Sequence, residues 1–571
     1  MTRKTTRGQK VLKNLERKTT RAGRSVRKHL KENILRRWEH IRNVRLLVLE
    51  WWLLVVAIII LAVTQVFLYN NSYSEEAPIA GGTYTEATLG EIKSLNPLFA
   101  SSSSEKVLAK LLFAGLMKVD ASGHIGLDLA AKVSPTDGGK VWRVSLKPNL
   151  KWSDGEDLTI DDVIFTASLI QNKNLKTNYD KNLAGVKVSR EGEEAIFTLA
   201  TEYADFNASL DFPILPKHIL EKVEPGKIVD NEFSSSPIGA GPFILKATQE
   251  NSDTTATVFL DQNEHYYQGE AIIETFAVQS FDKAEDIIKA LNEGAVSGTA
   301  ELSALDAEAI KSDKIIERAA ALSSGVYAFF NTTNGAFSNR DLRQAVRQGM
   351  NMSEVRVVTD GEQALDYPML GLANYPEIPG YDLNAAKEAI GKIEFDRETP
   401  VSVATVENGY LPKIAEKIVE QLKTMGVNAE MTAYEPSQDF IQSVIQPRSY
   451  DILVYEVDLG ATTDLFAYYH SSQATSTGLN LSNYHSAIAD DLIIGARTTT
   501  DGATRATKNY QFMRRWVMDV PAIGIYQTNM TYYYNRETTN FPESQKLVTA
   551  LDRFEGVIYW SAQQGSRNKT P

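Results

Sequence analysis

Five acidic residues fall within nine positions of the stretch KWSDGEDLTIDDVIFT, residues 151–166: Asp154, Glu156, Asp157, Asp161 and Asp162. Such a cluster could ligate a divalent cation or supply a general acid and base. The spacing argues against both. A Ca2+ loop of the EF-hand type places its glycine sixth and a Glu twelfth, whereas here Gly155 directly follows the first Asp. Ser153-Asp154-Gly155 is turn chemistry: Asp bonds its own backbone and Gly accepts positive φ. Thr159 is a good helix N-cap, and Asp162 three residues on approximates a capping box. Asp161 and Asp162 then lie in the first helical turn, where the helix dipole favours negative charge. The stretch predicts a turn and a capped helix start.

Other chemistries have little support. The seven histidines, at 29, 40, 124, 218, 265, 470 and 485, form no H-E-x-x-H or H-x3–5-H pattern. There is no G-x-S-x-G elbow and no G-x-x-x-x-G-K-[ST] phosphate loop. IGAGPF, residues 238–243, lacks the third glycine of a dinucleotide loop, and Pro242 would interrupt a helix start. The absence of cysteine excludes disulfides, thiolate metal sites, cysteine nucleophiles and a cysteine-linked lipid anchor. No cofactor or metal is expected. Carboxylate pairs are available throughout an acidic chain, so a glycosidase-type pair stays open.

The elements that would position a site alternate between strand and helix through most of the chain from residue 81, which argues α/β. Residues 399–457 are clearest. TPVSVATV is a β-rich run. Leu411 to Met425 carries a helical stripe of Ile414, Ile418, Val419, Leu422 and Met425, closed by Gly426 at a C′ position. VNAEMTAY alternates as a strand, Ser437–Ile445 is a second helical stretch, and Asp451–Val457 is a third strand. Such βαβαβ sheets bind ligands beyond the carboxyl ends of their strands. Here that stretch is DLGATTDLFAYYHSS, which would present Asp458, Asp464, Tyr468, Tyr469 and His470.

The net charge of −12 hides a split: residues 1–45 hold 16 Lys+Arg against 3 Asp+Glu, and the remainder holds 44 against 69. After Arg45 comes an apolar run, Leu46–Tyr69, with no charge from Trp51 to Leu68. It is long enough to cross a hydrocarbon core of about 30 Å. A cleaved signal peptide is the competing reading, but signal h-regions span only about 7–15 residues. The positive-inside rule then places residues 1–45 in the cytoplasm and residues from about 70 onward outside. The arm has few aromatics and no nucleic-acid motif, so lipid contact is expected of it rather than nucleic-acid binding.

From SLNPLF (94–99) onward the chain resembles the extracellular solute-binding protein family 5, the peptide- and nickel-binding receptors of ABC importers. LLFAGLMKVDASGHIGLDLA (111–130), KVWRVSLKPNLKWSDGEDLTIDDVIFT (140–166), SSPIGAGPFIL (235–245), FFNTTNGAFSNRDLRQAV (329–346), YDLNAAKEAI (381–390) and LNLSNYHSAIADDLIIGAR (479–497) resemble its motifs in order. The resemblance implies an α/β, bilobed periplasmic-binding-protein-like fold with an extra inserted domain, and the apolar run places one transmembrane helix before it. Expected boundaries are a basic cytoplasmic arm at 1–45, a transmembrane helix at 46–69 and a linker at 70–80. Lobe I comprises 81–121, 232–322 and 532–571, the inserted domain II is 122–231, and lobe III is 323–531.

The family's peptide binders often hold the ligand's α-amino group with an Asp in a "GW..D" turn after this third strand. Here the sequence is VYEVDLGATTDLF, without the Trp; Tyr455 or Glu456 stands near its place. The resemblance therefore implies a ligand site among Tyr455, Asp458, Asp464 and Tyr468. It implies a binding receptor and no enzyme: a monomer, anchored in the cytoplasmic membrane by residues 46–69. It would capture peptides, or another small solute, for ABC permease subunits. A surface hydrolase of glycans or peptides, and a sensor signalling through the N-terminal arm, are the alternatives.

Overall fold

The computed structural model describes residues 45–568, apart from residues 79, 121, 253, 360–362, 539–545 and 563. All but the last residue of the basic arm, 1–44, lies outside the described residues. The chain divides into two units, one of Pro78–Gln564 and one of Met1–Ala77 with Gly565–Pro571.

In the latter, Arg45–Tyr73 is a single 29-residue helix. Its stretch Leu49–Val66 has mean hydropathy 2.2 and no buried residue. At 1.5 Å per residue the helix exceeds a hydrocarbon core of about 30 Å. It runs on through Tyr73 into the segment expected to be linker, since adding a residue to an existing helix costs less than starting one.

The large unit holds two lobes threaded by one sheet. Among the described residues eleven strands form this sheet. From one edge the order is Phe243–Glu250, Ala256–Gln262, Thr275–Phe281, Thr83–Leu89 and Gly298–Thr299. Two long strands follow, Ala522–Asn535 and Ile315–Phe330, and then Ile452–Asp458, Val401–Val406 and Ala429–Tyr434; the eleventh, Gln363–Ala364, pairs with Ala522–Asn535 off this path. The two long strands are antiparallel and carry the chain from one lobe to the other. Their register breaks between Ala321 and Gly325. On one side of that break Ile315–Ala321 pairs with Asn529–Asn535; on the other Ser324–Phe330 pairs with Ile452–Asp458. Each lobe has its own core, one around Leu108, Trp152 and Phe276, the other around Phe329, Ile418 and Trp516.

The βαβαβ unit is present. Val401–Val406 pairs in parallel with both Ala429–Tyr434 and Ile452–Asp458. Helix Leu411–Thr424 buries Ile414, Ile418 and Leu422 against them, and Gly426, at φ +89°, ends it. The second helical stretch is a short turn, Gln438–Phe440, followed by a π-helical turn, Ile441–Ile445. Within residues 122–231 a four-stranded antiparallel sheet, ordered Ala130–Thr136, Val141–Leu146, Glu194–Thr198 and Lys187–Glu191, packs with helix Ile160–Ile170.

Candidate ligand cleft

The acids of residues 151–166 are used locally. The backbone N–H of Thr159 donates to Asp162 Oδ2 at 2.7 Å, and Lys217 N–H to Asp162 Oδ1 at 2.9 Å. Asp154 accepts from Glu156 N–H and lies 2.9 Å from His218 Nε2. Asp157 pairs with Lys151 at 2.6 Å and Asp161 with Arg190 at 2.7 Å. Ser153 then joins this turn to the second glycine-rich stretch: its N–H donates to the Gly239 carbonyl at 2.9 Å. A methyl on Gly239 would stand 1.9 Å from the Leu112 carbonyl oxygen, and one on Gly241 2.5 Å from the Leu112 carbonyl carbon. IGAGPF is glycine-rich because it lies directly on the end of helix Ser103–Leu112.

The open space lies between the lobes, where the crevice rule places it. A cavity of about 690 Å3 is lined by Tyr455, Glu456 and Asp458 at the end of their strand, and by Asn408 and Phe440. A second, of about 660 Å3, is lined by the loop Leu459–Thr463, by Tyr367 and Tyr375, and by Lys546. Leu322 and Val548 border both, so the two are neighbours. A third, of about 590 Å3, lies within the lobe built around Leu108, holds Lys110, Asp211 and Tyr266, and shares Thr549 with the first. Burial pushes the Asp211 carboxyl up to about 6. All three border the segment 546–558. It is held in place by the buried Arg553, whose Nη2 lies 2.6 Å from Glu86 Oε1 beneath the hydroxyl of Tyr532. Leu322 and Ser324, at the register break between the long strands, face the first cavity.

The four expected site residues meet different fates. Asp458 opens onto the first cavity. Its Oδ1 accepts from Gly460 N–H at 2.8 Å, and among the described residues it makes no ion pair. The surrounding protein strips water from the carboxylate and raises its pKa; the Gly460 hydrogen bond opposes this, and the charge of Asp552 adds to it. Tyr455 lines the same cavity, with its ring 6.1 Å from that of Phe440. Tyr468 supports from behind: its hydroxyl donates to the Asp458 carbonyl, and burial pushes the phenol up to about 12.

Asp464 stands apart from the other three. Its Oδ2 lies 3.0 Å from Arg497 Nη1, and its Oδ1 accepts from Phe466 N–H. This carboxylate is neutralised within the fold. His470 is also spent locally, stacked on Phe466 and bonded to Ser472. The hinge-side residues and the segment 546–558 escape sequence reasoning, because nothing local in VTALDRFEGVIYW distinguishes a cleft wall from an ordinary surface turn.

Asp458, with no ion-pair partner among the described residues and with the rings of Tyr455 and Phe440 in the same cavity wall, is chemically able to pair with a cation. Among the described residues no group of three His, Asp or Glu side chains is close enough to hold a metal ion.

The model of the bacterial extracellular solute-binding proteins, family 5, matches residues 124–478. The oligopeptide-binding protein AppA of Bacillus subtilis is 28% identical over 509 residues, covering 84% of this chain and 92% of that protein. The solved structure of AppA from Bacillus subtilis in complex with a nonapeptide aligns with TM-score 0.66 at 24% identity, covering 85% of this chain and 99% of that one. NikZ from Campylobacter jejuni in complex with Ni(L-His) aligns with TM-score 0.68 at 19% identity, over 84% and 99%. Both structures share the bilobed fold.

Proposed function

Because this chain belongs to the bacterial extracellular solute-binding proteins of family 5, and so serves as a substrate-binding receptor rather than an enzyme, we propose that its substrates are peptides, captured between the lobes for ABC permease subunits. Asp458 carries this reading: it is a carboxylate at the carboxyl end of a sheet strand, open to the cleft and without an ion-pair partner among the described residues. A peptide's α-ammonium supplies the missing charge. The pairing gains strength as closure of the lobes over the peptide excludes water from the contact.

The size of the cleft favours a peptide over a single small solute. Sites for small molecules run to about 300–1,000 Å3, and two neighbouring cavities of about 690 and 660 Å3, each bordered by Leu322 and Val548, are available here. Tyr455 in one, and the stacked pair Tyr367–Tyr375 in the other, offer apolar faces to side chains along an extended chain. Binding at the register break of the two long strands lets the lobes close over the peptide by rotation there. The helix Arg45–Tyr73 serves as a single-pass anchor, with the basic arm cytoplasmic, the body outside and the receptor monomeric.

Titration calorimetry of the full chain in nanodiscs against a library of short peptides tests the proposal. Micromolar or tighter binding of peptides with a free N-terminus is expected, together with loss of affinity on N-acetylation. Silence across the library, or indifference to acetylation, overturns the ligand class or the role of Asp458 respectively.

A further inference from the structure

The two lobes also meet away from the ligand cavities. Tyr203, Ala204 and Asp205 follow the last strand of the inserted four-stranded sheet. They touch the helix pair Ala487–Thr498 and Gly502–Asp519, which belongs to the other lobe. Ala204 N–H donates to the Arg497 carbonyl at 2.9 Å. Asp205 Oδ1 lies 2.5 Å from Arg505 Nη1, and both side chains are mostly buried. The Arg497 guanidinium is sandwiched between the rings of Tyr203, at 4.2 Å, and Phe466, at 4.4 Å. The same guanidinium neutralises Asp464, which ends the loop that begins at Asp458. Little space remains: the void among Asp205, Asp464, Arg497 and Arg505 measures about 10 Å3.

We propose that Arg497 is a positioning residue that couples the ligand-binding loop to a latch between the lobes, Tyr203–Asp205 against Arg497 and Arg505. The guanidinium can be held on both faces only while the lobes are together. Each end of the arrangement therefore supports the other. With the lobes closed, the Tyr203 ring completes the cage around Arg497; Arg497 holds Asp464; and Asp464 sets the far end of the loop that carries Asp458. With the lobes apart, Arg497 loses one aromatic face and Arg505 its carboxylate. The latch favours closure whether or not ligand is present, and with ligand bound it slows release. This proposal rests on the receptor reading for its effect on release, but the latch itself can be tested without any ligand.

The chain contains no cysteine, so Lys187→Cys and Gln511→Cys, both at exposed positions, would carry spin labels on opposite lobes without further engineering. Pulsed electron resonance on the ligand-free full chain in nanodiscs reads the ratio of closed to open lobes. Arg505→Ala is expected to lower that ratio about fivefold, the scale of an ion pair worth about 1 kcal/mol. The reversed pair, Asp205→Arg with Arg505→Asp, is expected to restore it. Arg497→Lys keeps the charge but loses the planar stacking, and is expected to open the lobes while leaving far-ultraviolet circular dichroism unchanged. Distance distributions that do not change in Arg505→Ala and Arg497→Lys would overturn the latch. If the distributions shift but peptide release is no faster, the latch stands and its coupling to the ligand loop falls.

Discussion

Asp458 and Asp464 terminate the same loop and occupy opposite electrostatic situations. One is exposed to the cleft and makes no ion pair among the described residues, the other is paired with Arg497. Replacing Asp458 with Asn keeps its size and removes its charge. Calorimetry is expected to show peptide affinity falling about 10- to 100-fold, the loss that goes with a charge-assisted contact of about 1.5–3 kcal/mol. The pH dependence follows from the direction of the shift. Asp458 must be ionised to hold an ammonium, so affinity should rise as pH climbs through its elevated pKa. It should fall again as the peptide's amino group loses its proton near pH 8; Asp458→Asn should flatten both limbs, since each reports one partner of the same ion pair. Stability runs the other way. A carboxyl whose folded pKa is raised favours the fold at low pH, and that benefit is lost as pH rises through the folded value. Asp458→Asn should therefore raise the melting temperature of the ligand-free chain at neutral pH and leave it unchanged in acid, as scanning calorimetry would show. VDLGATTD narrows the search to these two carboxylates but cannot separate them, because Arg497 reaches Asp464 only through tertiary packing.

Among the elements, what is periodic or locally capped was legible. The helix Leu411–Thr424 follows from its apolar stripe and closing glycine, and the start of helix Ile160–Ile170 from Thr159 and Asp162. The glycines of IGAGPF were legible as a motif but not as a mechanism. They face the backbone of Leu112, which a side-chain adjustment cannot move away. Gly241→Ala is expected to destabilise the body by about 1–3 kcal/mol or more, seen as a lower midpoint in thermal unfolding, with peptide affinity unchanged in the fraction that folds. The segment 546–558 was illegible for the opposite reason. Its role as a cleft wall depends on the buried pair Arg553–Glu86, whose partners are nearly the whole body apart in sequence.

In the whole molecule, two lobes with separate cores share one hydrogen-bonded sheet, so any motion between them must pass through the strands Ile315–Phe330 and Ala522–Asn535. Hydrogen exchange with and without peptide should locate that motion. The rungs between Ile315–Ala321 and Asn529–Asn535 should stay protected throughout, and slowing on binding should centre on Leu322–Ser324. Exchange that changes evenly along both strands would place the hinge elsewhere. A ribbon of two strands is also the form of sheet that twists most readily. Rotation of one lobe against the other is therefore expected to be taken up as a change of twist in these two strands rather than as bending within either lobe.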